Sequence, residues 1–301
     1  MAITRLEVYR RFTGPRRRHP LRFWPITAAN VRAASKRKLP LLLLYAIPAI
    51  GTAIFSFFVY AKFAAEARLL PDGAGGGLAL VDMLAQRALQ RLEVRNNIAE
   101  FNSYSQTFAL LPAAWFGSAL FAADIRAGAH QLYFCRPITR LDYFLGKFLT
   151  AAFFTACAVL VPGLVICAVA AFNSPDWYFL LEEWDVIVDT VLYSLVWIVV
   201  TSSVALAVSS LAARRSFAIV GFFAVFFIPH AMGRVLRSLE GYDFFAISPI
   251  YDLRQVAIEI FDLGHSWPGI PAATAWSVLA GTVAASLLVV ALRLRRLEAV
   301  G

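Results

Sequence analysis

Residues 123–148 read ADIRAGAHQLYFCRPITRLDYFLGKF, and they separate two apolar runs that are each long enough to cross a membrane. The stretch carries four basic side chains and an interior proline, whereas the flanking runs 106–123 and 148–172 contain no Lys or Arg. A short basic segment between two long apolar runs is typical of a loop between membrane spans. The stretch therefore predicts a polytopic membrane protein.

The composition of the whole chain agrees with this interpretation. Of the 301 residues, 60% are apolar, against about 45–50% in an ordinary soluble domain, and the mean hydropathy is +0.67. A span needs about 20 mostly apolar residues. Six runs qualify, at 39–60, 106–123, 148–172, 186–213, 217–233 and 272–292. We predict an all-α membrane protein with six transmembrane helices.

The distribution of charge predicts the orientation of these spans. If the N-terminus is cytoplasmic, segments 1–38, 124–148, 214–216 and 293–301 hold 20 of the 28 Lys and Arg residues but only 4 of the 19 acidic residues. Basic loops are retained on the cytoplasmic side, so we expect both termini in the cytoplasm of a multi-pass protein. The net charge of +9 comes from basic residues spread over these loops and not clustered on one soluble domain, so we expect no binding to nucleic acid.

The domain organisation follows from these boundaries. A cytoplasmic N-terminal segment, 1–38, contains a short basic helix at Thr27–Lys38 that we expect to lie on lipid headgroups. The transmembrane domain covers 39–292, with a cytoplasmic segment at 124–147 and a cytoplasmic tail at 293–301. Its extracytoplasmic segments are 61–105, with an amphipathic helix near 78–95, and 234–271, with a helical run at 252–263.

The residues of several common sites are missing. The only Gly-Lys pair, Gly146-Lys147, lacks the rest of a phosphate-binding loop, and the histidines and cysteines show no metal or haem spacing. The centres of the six runs carry no charged residue, unlike those of ion-coupled carriers. An intramembrane enzyme would need a buried base or metal set. We therefore expect no catalytic residue, no metal and no cofactor in this chain, and an energy source outside it.

Three local patterns predict how the helices begin and pack. Thr139 and Asp142 form a Thr-x-x-Asp capping pattern, which predicts a helix from Arg140 into the third span. Ile125, with Ala129, Leu132 and Tyr133 after it, predicts one apolar side of a short surface helix. In the second span, Ala113 and Gly117 form a small-xxx-small pair that favours close helix packing.

The segment between the second and third runs resembles the ABC-2 type permeases, the membrane subunits of a class of ATP-binding cassette transporters. That family shows an acidic residue, a glycine, a Pro-Ile-Ser-Arg-like stretch and a Tyr-x-Leu-Gly-Lys-like stretch. The matching positions are Asp124, Gly128, Pro137, Ile138, Arg140, Tyr143, Leu145, Gly146 and Lys147. Departures are Asp124 where Glu is commoner, Tyr133-Phe134-Cys135 in place of Leu-Leu-Ser, and Thr139 for Ser. Ser248-Pro249 also looks like the region before the last span of these permeases.

The resemblance implies a permease subunit in a bacterial cytoplasmic membrane, working in export. Its cytoplasmic segment would dock on a separate ATPase chain, which binds ATP and Mg. The coupling residues would be Asp124, Arg126, Gly128, His130, Arg136, Pro137, Arg140 and Lys147. Gly128 would allow close approach and Pro137 would fix a bend. A second permease chain, identical or homologous, would pack against the second and fifth spans, with Ala113 and Gly117 allowing close approach.

The long outer segment 61–105 leaves a subgroup and an alternative open. It is similar to the permeases associated with gliding motility or nitrous oxide reductase maturation, and it would suit an extracytoplasmic partner. The alternative function is a membrane anchor or scaffold for an extracytoplasmic complex, without transport, in which the helix at 78–95 is the partner site.

Overall fold

The computed structural model describes residues 21–36, 38–69, 94–128, 138–240, 242–264 and 269–299, and the regular structure in these ranges is helical. The α-helices are α1 Trp24–Ser35, α2 Lys38–Leu69, α3 Val94–Pro112, α4 Leu120–Ala127, α5 Arg140–Asn173, α6 Tyr178–Glu182, α7 Trp184–Leu211, α8 Arg215–Glu240, α9 Pro249–Ile260 and α10 Ala272–Ala299. One π turn, Ala113–Gly117, lies between α3 and α4, and two short 3₁₀ turns are Pro175–Trp177 and Tyr242–Ile247.

Among the described residues, five helices are long and apolar enough to cross a membrane. They are Lys38–Phe63 in α2, Arg140–Asn173, Trp184–Leu211, Arg215–Ser238 and Ala272–Arg296. Each contains most of one predicted span, so the first, third, fourth, fifth and sixth runs are confirmed as long apolar helices. The fifth is longer than predicted, because the helix continues through Pro229 to Glu240.

The remaining predicted span, 106–123, is helical but interrupted. Pro112 ends α3, the π turn follows, and α4 begins at Leu120. Proline removes one backbone donor from a helix and clashes with the preceding turn, and a π turn is a common local accommodation. The backbone at Pro112, Ser118 and Ala119 nevertheless stays in the right-handed helical region, so the chain keeps one general direction.

The interrupted segment, taken from α3 through the π turn to the end of α4, lies along α7, as contacts at both of its ends show. Near its start, Arg95 pairs with Asp185 at the beginning of α7. Near its end, the Phe121 and Ala122 backbone N–H groups donate to Ser209 Oγ near the end of α7, at 2.9 and 3.1 Å. The two stretches, 95–121 and 185–209, are about 39 and 36 Å long as helices. They therefore run side by side in the same direction over nearly the full length of α7.

Helix α7 is the centre of the bundle. Of its most apolar 18 residues 67% are buried, against 17% to 44% in the other four spans. The hydroxyl residues that the sequence places along this helix are buried, among them Ser194, Thr201, Ser202, Ser203, Ser209 and Ser210. Close packing against neighbouring helices accounts for these short side chains.

The structure gives Ala113 and Gly117, the pair expected to pack against a second chain, contacts inside this chain. Both residues are buried inside this chain. A Cβ atom added to Gly117 would lie 2.9 Å from Ala205 Cβ on α7 and 3.5 Å from Ala151 Cβ on α5. The small residues therefore allow three helices of one chain to approach closely, and their surface is not available to another copy.

The segments outside the spans agree partly with the sequence. The predicted basic helix Thr27–Lys38 corresponds to α1, which begins three residues earlier at Trp24, and the helical run 252–263 corresponds to α9. Ser248 precedes α9 as its N-cap and Pro249 is its first residue, a favoured position for proline. The predicted outer helix near 78–95 lies outside the described residues except for its last two, which open α3.

Candidate functional site at the basic end of the bundle

Family-like residues from the two ends of the stretch 123–148 come together at one end of the bundle. We call it the basic end, formed by α1, α4 and the first turns of α5. Asp124 lies in the last turn of α4, and Tyr143 and Lys147 lie four residues apart on one face of α5. Lys147 Nζ is 2.7 Å from Asp124 Oδ2, and Tyr143 Oη donates to the same oxygen at 2.8 Å.

This ion pair is enclosed. The side chains of Lys147 and Asp124 are 1% and 15% exposed, and Lys147 Nζ also donates to Asn30 Oδ1 on α1 at 3.5 Å. Tyr143 is buried and packs edge-on against Phe121, with ring centroids 5.5 Å apart. A buried ammonium group is costly unless it is paired and hydrogen-bonded. The pair therefore holds α1, α4 and α5 in one arrangement.

Helix α1 reaches the pair because Gly146 lets it approach α5. A Cβ atom on Gly146 would lie 2.8 Å from Ile26 Cβ and 3.1 Å from the Phe23 carbonyl oxygen. Thr27 Oγ1 donates to the Gly146 carbonyl at 3.1 Å across the same contact. Any larger residue at 146 would push α1 away from α5.

The start of α5 is fixed by the predicted capping pattern. Thr139 Oγ1 accepts from the Asp142 N–H at 3.1 Å, and Asp142 Oδ2 accepts from the Thr139 N–H at 3.1 Å. These reciprocal bonds form a capping box and satisfy two donors that a helix start leaves open. The helix then runs unbroken from Arg140 to Asn173, through Pro162, close to the predicted extent.

Gly128 has a backbone role within this chain. It ends α4 in the left-handed region, with φ 66° and ψ 10°, and its N–H donates to the Ile125 carbonyl at 3.3 Å. A Cβ atom there would meet no atom of this chain within 4 Å, so the backbone conformation accounts for the glycine, and its close approach to an ATPase chain stays a prediction. The predicted surface helix through Ile125 and Ala129 is also interrupted, because α4 ends at Ala127.

The other predicted coupling residues divide into two groups. Arg126 and Arg140 are exposed at the basic end. His130, Arg136 and Pro137 lie outside the described residues. The structure thus joins Asp124 and Lys147 directly and leaves Arg126 and Arg140 at the surface.

Sequence reasoning missed the contribution of α1. Thr27 and Asn30 are three residues apart, which places them on one helix face, and they contact Gly146 and Lys147 more than 115 positions away. Polar residues on the buried face of a short helix beside a span are the signal that could have found them.

A second polar feature, also missed, lies at the opposite end of the bundle. Asp252, in the first turn of α9, is fully buried, and neither carboxylate oxygen has a hydrogen-bond partner. Burial raises the pKa of the Asp252 carboxyl to about 8, so the neutral acid predominates at neutral pH. The adjacent Tyr251 stacks on His230 at 4.4 Å and accepts from Arg234 Nε at 3.2 Å.

The basic-end arrangement joins three helices through one polar cluster. Within the described part of the chain, no group of three or more His, Cys, Asp or Glu side chains could hold a metal. The cluster is instead a buried ionic contact that links three helices around the ends of one connecting segment.

Comparison of the sequence with models of known protein families and with characterised proteins found no match.

Proposed function

We propose that this chain is the membrane-spanning permease subunit of an ABC-2 type ABC transporter, with export as its direction and a bacterial cytoplasmic membrane as its location. The observation that carries the proposal is the Asp124–Tyr143–Lys147 cluster. These three residues belong to the family-like pattern, they are up to 23 positions apart, and they meet in one buried contact. A loop that serves only to connect two spans would not require such a contact.

The proposal includes six membrane crossings with both termini in the cytoplasm. Five are the long apolar helices, and the sixth is the interrupted segment from α3 through the π turn to α4. Its contacts with Asp185 and Ser209, near opposite ends of α7, support a full crossing. Broken helices are tolerated within a membrane where they are surrounded by protein, and Ala113, Ala114, Phe116 and Gly117 are all buried.

The coupling mechanism follows from the position of the ion pair. Asp124 and Lys147 stand at the two ends of the connecting segment 124–147, and they are clamped to each other and to Asn30. A partner that displaces this segment would therefore move α1, α4 and α5 together. Separating a buried ion pair costs about 3–5 kcal/mol, so the clamp should survive ordinary fluctuation.

The energy for transport would come from a separate ATPase subunit that binds ATP and Mg, and the working unit would contain two permease chains and two ATPase chains. Since Ala113 and Gly117 are inside the chain, the contact between permeases must use another surface. The least enclosed spans are α2, α8 and α10. Among these, α8 is the fifth span, which the resemblance also favours.

The test is a charge reversal in the connecting segment 124–147. Arg136→Glu with Arg140→Glu should preserve insertion, because 18 of the 20 basic residues expected on the cytoplasmic side remain. Retention of the ATPase during purification and transport-stimulated hydrolysis should fall together, since lost charge complementarity in an interface can cost several kcal/mol.

The matched control is Arg32→Glu with Lys36→Glu, which makes the same change of charge on exposed positions of α1. It should leave both readouts near the wild-type values. Normal ATPase retention and normal hydrolysis in a correctly inserted Arg136/Arg140 variant would contradict the coupling role. Purification without any ATPase, but with an extracytoplasmic protein, would favour the anchor or scaffold function.

A further inference from the structure

A cavity opens at the basic end beside the ion pair. Its volume is about 540 Å³, and it lies between α1 and the interrupted segment, reaching Lys147 of α5 and Arg215 at the start of α8. Ligand pockets in proteins commonly measure about 300–1,000 Å³. The cavity is therefore large enough for a small polar ligand or a lipid headgroup.

The charge of the lining favours an anion. Three basic side chains, Arg126, Lys147 and Arg215, face one acidic side chain, Asp124. The pairing of Asp124 with Lys147 at 2.7 Å balances one positive charge. The lining as a whole holds two more basic than acidic side chains, so the cavity disfavours a cation and attracts a negatively charged group.

The position of Arg215 suits a phosphate group. Its guanidinium carbon lies 4.1 Å from the centre of the Trp115 ring, and Nη2 donates to the Trp115 carbonyl at 3.0 Å. Stacking holds the planar guanidinium in a defined orientation. An oriented guanidinium can bind two phosphate oxygens through parallel N–H groups.

The rest of the lining leaves room for an apolar stem. Much of the wall consists of alanine side chains from two helices, namely Ala33, Ala34, Ala119, Ala122, Ala123 and Ala127. Trp115, Phe116 and Leu120 add apolar surface. A phosphate joined to a glycerol and acyl chains would match this combination of two arginines and apolar walls, and basic pockets between membrane helices are known to bind anionic headgroups.

We propose that the cavity between α1, Trp115 and Arg215 binds a phosphate-bearing anion, supplied by the headgroup of an anionic phospholipid. Because α1 forms one wall through Asn30, Ala33 and Ala34, an occupied cavity would connect α1 to the interrupted segment and to α8. The inference concerns lipid binding and does not depend on an ATPase partner.

The experiment measures binding to the full chain, purified in a neutral detergent. The probes are dihexanoyl phosphatidylglycerol, dihexanoyl phosphatidylcholine and inorganic phosphate, titrated while the melting temperature is recorded, since a ligand of the folded state raises it. We expect phosphatidylglycerol to raise the melting temperature at concentrations at least ten-fold lower than either other probe. Equal responses to phosphatidylglycerol and inorganic phosphate would identify the free anion as the source while keeping the site.

Two variants place the binding in the cavity. Arg126→Gln removes an exposed cationic group of the lining, and Ala123→Leu fills space from an exposed position without changing charge. Each should weaken the phosphatidylglycerol response about ten-fold, as expected for a lost charge-assisted hydrogen bond or a blocked volume. The control Arg296→Gln removes an exposed charge near the end of α10, outside the cavity, and should retain the wild-type response.

The outcomes separate the cavity from general surface attraction. An equal loss in the Arg296→Gln control would assign binding to the overall charge of this end and would overturn the proposal. A wild-type response in both Arg126→Gln and Ala123→Leu would overturn it as well, as would equal responses of the wild type to the anionic and zwitterionic lipids. Lipid binding with no ATPase effect would leave the site standing even if the transporter function failed.

Discussion

Lys147 and Asp124 form a salt bridge of 2.7 Å in which the ammonium group is almost completely enclosed and the carboxylate is partly open to solvent. The pair is therefore asymmetric. Loss of the carboxylate leaves a buried cation without its main counter-ion, whereas loss of the cation leaves a carboxylate that water can still reach.

This asymmetry predicts the order of stability of three variants. Asp124→Asn should lower the free energy of unfolding by about 3–5 kcal/mol, because it strands the buried ammonium. Lys147→Met should cost less, since Met retains the apolar stem and Tyr143 still donates to Asp124. The double variant should be more stable than Asp124→Asn alone. Thermal melts in one detergent would show this order, and a double variant that is less stable than both single variants would contradict it.

The contact of Gly117 with α7 predicts that even a methyl side chain at position 117 destabilises the protein. Gly117→Ala should destabilise the protein by about 1–3 kcal/mol, because its Cβ would lie 2.9 Å from Ala205 Cβ in a closely packed helix contact. The matched control is Gly281→Ala in α10, where an added Cβ meets nothing within 4 Å. It should be neutral or stabilising by up to about 1 kcal/mol.

The oligomeric state provides a second measurement on the Gly117→Ala variant. Because Gly117 is buried within the chain, Gly117→Ala should alter the melting temperature without changing the mass of the assembled particle. A dimer that dissociates while the monomer keeps its melting temperature would return Gly117 to a contact between chains.

Asp252 predicts that stability falls as the pH rises. Its pKa is raised to about 8 in the folded protein from an ordinary value of 3.8, so between these values the folded state holds a proton that the unfolded state releases. The stabilisation is present below about pH 4 and is lost progressively as the pH approaches 8. Asp252→Asn removes this dependence, because the amide does not titrate.

The measurement is the difference in melting temperature between Asp252→Asn and the wild type at several pH values. The melting temperature of the variant, relative to that of the wild type, should rise by a few degrees as the pH rises from about 5 to 8. Asp262→Asn, which removes an exposed carboxylate from the same region, controls for the loss of charge. A difference that stays constant with pH would show that Asp252 is not buried as a neutral acid.

The interrupted segment predicts opposite accessibility at its two ends. Single cysteines at Glu100 and Ala127, both exposed, are introduced where Cys135, Cys157 and Cys167 have been replaced by alanine. In intact cells, a membrane-impermeant maleimide should label position 100 and spare position 127. The reason is that the contacts with α7 place the two ends of the segment at opposite ends of the bundle.

Reference positions fix the orientation in the same cells. A cysteine at Asp176, between α5 and α7, should be labelled, and one at Arg214, between α7 and α8, should be protected, as the excess of basic residues on the cytoplasmic side requires. Labelling of both 100 and 127 would exclude a sixth crossing, and reversed labelling of 176 and 214 would invert the topology.

The features that sequence predicted well depend on local chemistry. Thr139 and Asp142 specify the start of α5 because their bonds span three residues, and the long apolar runs specify helices because lipid leaves no other way to satisfy the backbone. The interruption after Pro112 has a local cause too, although proline alone does not tell a π turn from a simple bend.

The features that sequence predicted poorly depend on which surfaces meet. Ala113 and Gly117 indicate close packing, yet the same pair would serve a neighbour in the chain or a second copy, and only the position of Ala205 decides between them. The contact of Asn30 with Lys147 joins residues 117 positions apart, and no periodicity carries that information. Asp252 gave no signal because its burial results from the packing of α9 against other elements.

The buried hydroxyl and small residues of α7 also bear on how the protein is made. The polar groups of this helix are poorly solvated by lipid while the helix is alone, and its short side chains favour packing against other helices at once. Ser209 is bonded to the backbone of residues 121 and 122, Ala205 faces Gly117, and Thr190 faces Gly163. All of these partners are synthesised before α7. When ribosomal synthesis delivers the central helix, these partners are already there, and α8 and α10 complete the core afterwards with buried residues such as Phe222, Phe226 and Leu279.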